Sequence, residues 1–241
     1  MKKLLFLFLL IPLVAFADEG GVHLDTAPVN LHDMGSLQRG ARDFTNYCLS
    51  CHSAQNVRYE LLRNIGLTNK EIEKNLMFAG GKVGDKMKVA MRPEDAAKWF
   101  GIDPPDLGLM ARVKSPDWIY TYLRSFYKDD KRPTGWNNTV FPNVAMPHVL
   151  WALQGVQELK TETKTIDGEK VTTQKLVLVK PGTMTPVQYD QFVGDLVNYL
   201  TYISEPYHNK QIEIGTVVLL FLGILFVLVY MLKKEYWKDI H

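Results

Sequence analysis

Apolar residues recur at helical spacing in several stretches of the chain, and each stretch opens on a recognisable start signal. Between 35 and 48, Leu37, Ala41, Phe44 and Cys48 share one face, with Ser36 as the candidate N-cap. Thr68 and Glu71 form a capping box ahead of Ile72, Leu76 and Met77. Ser115-Pro116-Asp117 predicts another start, and Trp118, Ile119, Tyr122, Leu123 and Phe126 line the face beyond it. Thr185-Pro186 with Gln188 repeats the capping box. The long helix it opens would bury Tyr189, Phe192, Leu196, Tyr199 and Leu200. From Glu158 to Val179 the period changes. Alternating Thr, Ile and Val flank Asp167-Gly168, the chemistry of a tight hairpin turn. Long loops rich in Pro and Gly run from Gly101 to Leu109 and from Arg132 to Met146.

Two further apolar runs have no polar face. Leu4 to Val14 comes after Lys2 and Lys3 and precedes Ala15-Phe16-Ala17, the order of a secretory leader cleaved before Asp18. Ile214 to Leu232 holds 19 residues without a charge, enough to cross a bilayer core. Lys233, Lys234 and Lys238 lie just beyond it, which puts the short tail on the cytoplasmic side. Tyr230, Tyr236 and Trp237 suit the interface. The expected division is a leader at 1–17, an exported body at 18–211, a span at 212–232 and a tail at 233–241.

The chain has 241 residues and a formal net charge of +2. Loss of Lys2 and Lys3 with the leader would balance the two signs. No basic stripe points to nucleic acid. Gly80-Gly81-Lys82-Val83-Gly84 lacks the spaced Gly-Lys-Ser/Thr ending of a phosphate loop.

Both cysteines lie in Cys48-Leu49-Ser50-Cys51-His52, the signature of covalent haem attachment. Two cysteines at this spacing on a helix end can reach the two vinyl groups along one haem edge. The next residue, a histidine, then projects a ring nitrogen at the iron. The competing readings are weaker. A disulfide across so short a loop constrains little chain. No βαβ pattern supports a thioredoxin-like pair. No second Cys/His pair completes a zinc finger. One motif implies one haem. Its sixth ligand could be Met146, Met184 or His148. Met146 ends a loop that Pro147 would stiffen, which favours it over Met184. Arg112, Lys114 and Arg58 are candidate partners for the haem propionates, which need cations or hydrogen bonds when buried.

With these residues in view, the sequence resembles the cytochrome c1 family over essentially its whole length. The resemblance rests on Arg39-Gly40-Ala41, on Asn46-Tyr47 before the haem motif, and on Val89 to Asp95. It continues through Pro104-Pro105-Asp106-Leu107, Pro133 to Asn138, Phe141 to His148 and the C-terminal span. It implies a mainly α fold: a c-type cytochrome domain with long loops, an inserted β-hairpin and one C-terminal transmembrane helix. It implies one covalent haem c on Cys48 and Cys51, with His52 and Met146 as axial ligands. Pro105 and Arg112 would lie at the haem, with Lys114 the other positional match for a propionate-binding arginine. The implied role is a single-electron relay from a Rieske iron–sulfur protein to a cytochrome c, beside cytochrome b in a dimeric complex. The haem domain would be periplasmic and anchored in the bacterial inner membrane, and the chain would break no substrate bond. The alternatives are a free-standing anchored cytochrome c serving an oxidase or reductase, and a tethered thiol–disulfide oxidoreductase.

Overall fold

The computed structural model describes residues 22–78, 80–166 and 169–238. The expected leader and the Asp167-Gly168 turn lie outside these residues. Two helices form the frame: α1, Met34–Tyr47, and α7, Pro186–Ser204. Their apolar faces meet through Leu37, Ala41 and Phe44 on one side and Leu196, Tyr199 and Leu200 on the other, all buried. Phe44 and Tyr199 rings lie 5.6 Å apart. Polar groups lock the seam at its edges. Arg39 donates Nε and Nη2 to the two carboxylate oxygens of Asp195 at 2.6 and 2.9 Å. Fully buried Asn198 is satisfied by Asn30 and by the hydroxyl of Ser36. The cap of α1 is Asp33, which accepts from Ser36 N, rather than Ser36 itself. The helix starts earlier than the pattern suggests, and the hydroxyl of Ser36 faces Asn198.

Around this pair stand α2 (Asn69–Leu76), α3 (Pro93–Phe100), α4 (Met110–Lys114), α5 (Pro116–Arg124) and the single turn α6 (Trp151–Gln154). Both capping boxes, at Thr68/Glu71 and Thr185/Gln188, form as expected. Ser115 ends α4 and caps α5 in one residue, at φ 78°. Phe126 falls beyond α5, on the short strand β3 (Phe126–Lys128), which pairs with β4 (Trp136–Asn138) inside the second long loop. Residues 54–58 and 86–87 form another small pair, β1 and β2, with a 3-10 turn at Tyr59–Ile65 between them.

The inserted hairpin is longer than its sequence signal. Strands β5 (Gly155–Ile166) and β6 (Glu169–Pro181) pair antiparallel from Gly155↔Pro181 to Ile166↔Glu169. Its base is tied to the body by Gln157, whose Nε2 donates to the carbonyls of Arg124 and Phe126. Arg124 in turn bonds Asp25 and Asp190, each at 2.6 Å. Shortly after α7, the helix α8 runs from His208 to Tyr236. Its segment Lys210–Tyr236 is long and apolar enough to cross a membrane and is unburied within the chain. At 1.5 Å per residue it exceeds the ~30 Å hydrocarbon thickness, which leaves its ends for the interfaces.

Candidate haem site

The haem-attachment motif is the unwinding end of α1. Cys48 N and Leu49 N both donate to Phe44 O. Cys51 N and His52 N then both donate to Cys48 O, at 3.0 and 2.8 Å. The chain therefore closes into one tight turn. That turn carries two half-buried free cysteines and a buried histidine.

Residues 52–55, at the exit of the turn, are knitted to the Pro-Pro-Asp-Leu segment. His52 Nδ1 lies 2.7 Å from the carbonyl oxygen of Pro105. A carbonyl only accepts, so Nδ1 carries the proton and Nε2 keeps its lone pair for a metal. Burial lowers the His52 pKa, which favours the neutral ring; the Pro105 bond opposes this in part. Leu107 N donates to Ser53 O. Asp106 accepts from Gln55 N and from Gly108 N, both at 2.8 Å. Asp106→Ala would leave two backbone N–H groups to water, at a cost of about 0.5–1.5 kcal/mol for each bond lost. The expected result is a thermal midpoint lower by several degrees, and an unchanged midpoint would make the carboxylate dispensable.

Met146 lies on a loop held by asparagines. Asn138 Oδ1 accepts from Val140 N and Phe141 N, and its Nδ2 donates to Tyr122 O at 2.7 Å. Asn137 Oδ1 accepts from Asn143 N. Arg132 donates to Asn143 O, where the backbone turns through φ 64°. The half-buried Met146 then receives a hydrogen bond from Tyr122 Oη to Sδ at 3.4 Å. Burial drives the Tyr122 phenol well above its ordinary range, so it stays a donor.

Met184 is tied to α6, where its N–H donates to Leu153 O. His148 is buried and stacked on Phe126 at 4.9 Å, with Trp136 edge-on at 5.0 Å. Burial pushes its pKa down to about 4, and its Nε2 has no hydrogen-bond partner among the described residues. The three candidate cations part company. Lys114 Nζ lies 5.4 Å over the ring of Trp118, which stacks on Tyr122. Arg112 lines a cavity of about 400 Å³ with Leu31, Thr201, Ser204 and His208, near the start of α8. Arg58 donates to Gly84 O.

These residues fit a covalently held haem. Both sulfurs are free, the histidine ring is oriented by its far nitrogen, and the Met146 thioether accepts from Tyr122, whose ring packs on Trp118 and Phe126. Dithiol exchange fits less well. Cys48 is half-buried by surface yet densely surrounded, and its thiol is pushed up to about 12, first by burial and then by Asp43. Such a thiol is a poor nucleophile. Sequence reasoning places Tyr122 on a core-facing stripe and gives no sign of its contact with Met146. That contact joins a helix to a loop 24 residues away.

A family model described as the cytochrome C1 family matches residues 25–240. The chain is 50% identical to cytochrome c1 of Allochromatium vinosum over 244 residues, covering all of both proteins. It is 48% identical to a protein of Nitrosomonas europaea named ammonia monooxygenase gamma subunit, covering all of this chain and 99% of that one. Cytochrome c1 of Rhodospirillum rubrum is 28% identical over 94% of the chain and 92% of its own length.

Proposed function

The chain belongs to the cytochrome c1 family, and from that premise we propose that it relays single electrons from a Rieske iron–sulfur protein to a cytochrome c. Members of the family are the haem subunit of the cytochrome bc1 complex and carry covalently bound haem c. They are anchored in the membrane, consistent with α8. The observation that carries the proposal is the Cys48–His52 turn, with Nδ1 of His52 pinned to Pro105 so that Nε2 is left for iron.

In this reading Cys48 and Cys51 would hold the haem through thioethers, and His52 and Met146 would be the two protein ligands to its iron. Pro105 supplies the carbonyl that fixes the tautomer and ring plane of His52. The haem supplies the one-electron iron couple. The chain's residues set its energy by choosing a thioether as sixth ligand and by keeping water from the iron. Arg112 and Lys114 remain the candidate propionate partners. The stack from Lys114 through Trp118 and Tyr122 to Met146 favours Lys114. The haem domain faces the periplasm of the bacterial inner membrane, and Lys233 and Lys234 hold the C-terminus in the cytoplasm. Cytochrome b lies beside α8, and the assembled complex is dimeric.

The Nitrosomonas relative is named for a different complex, so co-purification is the deciding experiment. Mild detergent extraction should recover this chain with cytochrome b and a Rieske protein, and quinol should reduce its haem. Recovery without them, or with monooxygenase subunits, would overturn the assignment to the bc1 relay.

A further inference from the structure

We infer that Tyr122 is a positioning residue for the axial methionine and raises the reduction potential by hydrogen bonding to its sulfur. The inference rests on the reading of Met146 as sixth ligand. A thioether sulfur carries two lone pairs. If one binds iron, the other is available to accept, and the Tyr122 hydroxyl lies 3.4 Å from Sδ.

The surroundings leave this hydroxyl little freedom. Its ring stacks on Trp118 at 4.8 Å and 10°, and meets Phe126 edge-on at 5.1 Å. The backbone carbonyl of Tyr122 is held by Asn138, whose other side-chain atom organises the loop toward Met146. One asparagine thus fixes the donor's helix and the acceptor's loop together. The residue is buried, which limits the access of water to it.

Electron donation sets the direction of the effect. A hydrogen bond to Sδ draws density away from sulfur and weakens its donation to iron. Ferric iron depends on that donation more than ferrous iron, so the bond favours the reduced state. Removing it should favour the oxidised state. A neutral hydrogen bond of ordinary net strength, acting mostly on one oxidation state, moves the redox equilibrium roughly threefold to tenfold.

The test is redox titration of the purified, haem-loaded protein as wild type, Tyr122→Phe, and with a ring-fluorinated tyrosine at 122. The fluorinated ring keeps the shape and is a stronger O–H donor. Tyr122→Phe should move the equilibrium with a fixed mediator about threefold or more toward oxidised haem. The fluorinated protein should move it the opposite way, and both should keep the methionine–iron charge-transfer band of the ferric spectrum. Unchanged potentials, or shifts of the same sign in both, would overturn the inference and leave Tyr122 as packing. If Tyr122→Phe fails to fold, the sign of the fluorinated shift alone decides. Absence of the band in the wild type would instead overturn Met146 as ligand, and the inference with it.

Discussion

Replacing Met146 with alanine is expected to lower the haem reduction potential sharply and to let carbon monoxide bind the reduced protein. A thioether donates to ferric iron more weakly than the oxygen or nitrogen ligands that would replace it, so with Met146 as ligand its loss would remove the main device that keeps the potential up. The two other candidate ligands are held by contacts of their own. The ring of His148 is clamped between Phe126 and Trp136, two residues beyond Met146. Met184 is held by its backbone to Leu153. The loop should survive the change, because Asn137, Asn138 and Arg132 hold it through contacts that do not involve the thioether. Met184→Ala is the control and should leave both potential and spectrum as they were. If Met146→Ala keeps the wild-type potential and excludes carbon monoxide while Met184→Ala does not, the ligand assignment moves to Met184. If neither variant changes, His148 becomes the candidate.

Local signals are legible in the sequence, and contacts between distant segments are not. Both capping boxes depend on residues three apart, and both form. The haem motif is equally local, since five consecutive residues hold its two cysteines and its histidine. The predicted positions on α7 are buried, but so are nearly all their neighbours from Phe192 to Ser204, because α4 and α5 pack against the helix as well as α1. Where tertiary contacts decide, the sequence says less. Ser36 is a good N-cap by type, but burial against Asn198 claims its hydroxyl and Asp33 caps instead. The strand pairs at 54–58 with 86–87 and at 126–128 with 136–138 are too short to show a period. Only family resemblance singles out Pro105. Its carbonyl bonds His52 across 53 positions, and any residue type supplies a carbonyl. Arg112 and Lys114 illustrate the same limit: they sit two apart in sequence, yet one faces the cavity near α8 and the other caps the aromatic stack.

The largest loss of stability is expected from Gly40→Ala, a change that would help an isolated helix. Alanine is favoured over glycine in a helix interior by about 1 kcal/mol. Here α1 has no room for it. A Cβ at Gly40 would sit 2.1 Å from the carbonyl oxygen of Asp195 and 2.6 Å from Cβ of Tyr199. Both are backbone or first side-chain atoms, so no flexible side chain can swing away. The helices would have to separate, and separation would stretch the Arg39–Asp195 fork, the Asn198–Ser36 bond and the Phe44–Tyr199 contact together. Forced overpacking of this kind costs about 1–3 kcal/mol or more, and the loosened seam adds to it, for a net loss of roughly 2–4 kcal/mol. The effect should reach the haem, because the same helix ends in the Cys48–His52 turn. Denaturation of the purified variant should show a lower midpoint, and haem per chain should fall. Gly35→Ala in the same helix is the matched control. Its Cβ would meet only the side chains of Arg39 and Asp33, at 3.3 and 3.4 Å, so it should be neutral or slightly stabilising. A Gly40→Ala protein as stable as the Gly35→Ala protein would mean that the helices can slide past the added methyl. The close approach at Gly40 would then not be what fixes the haem-bearing end of α1.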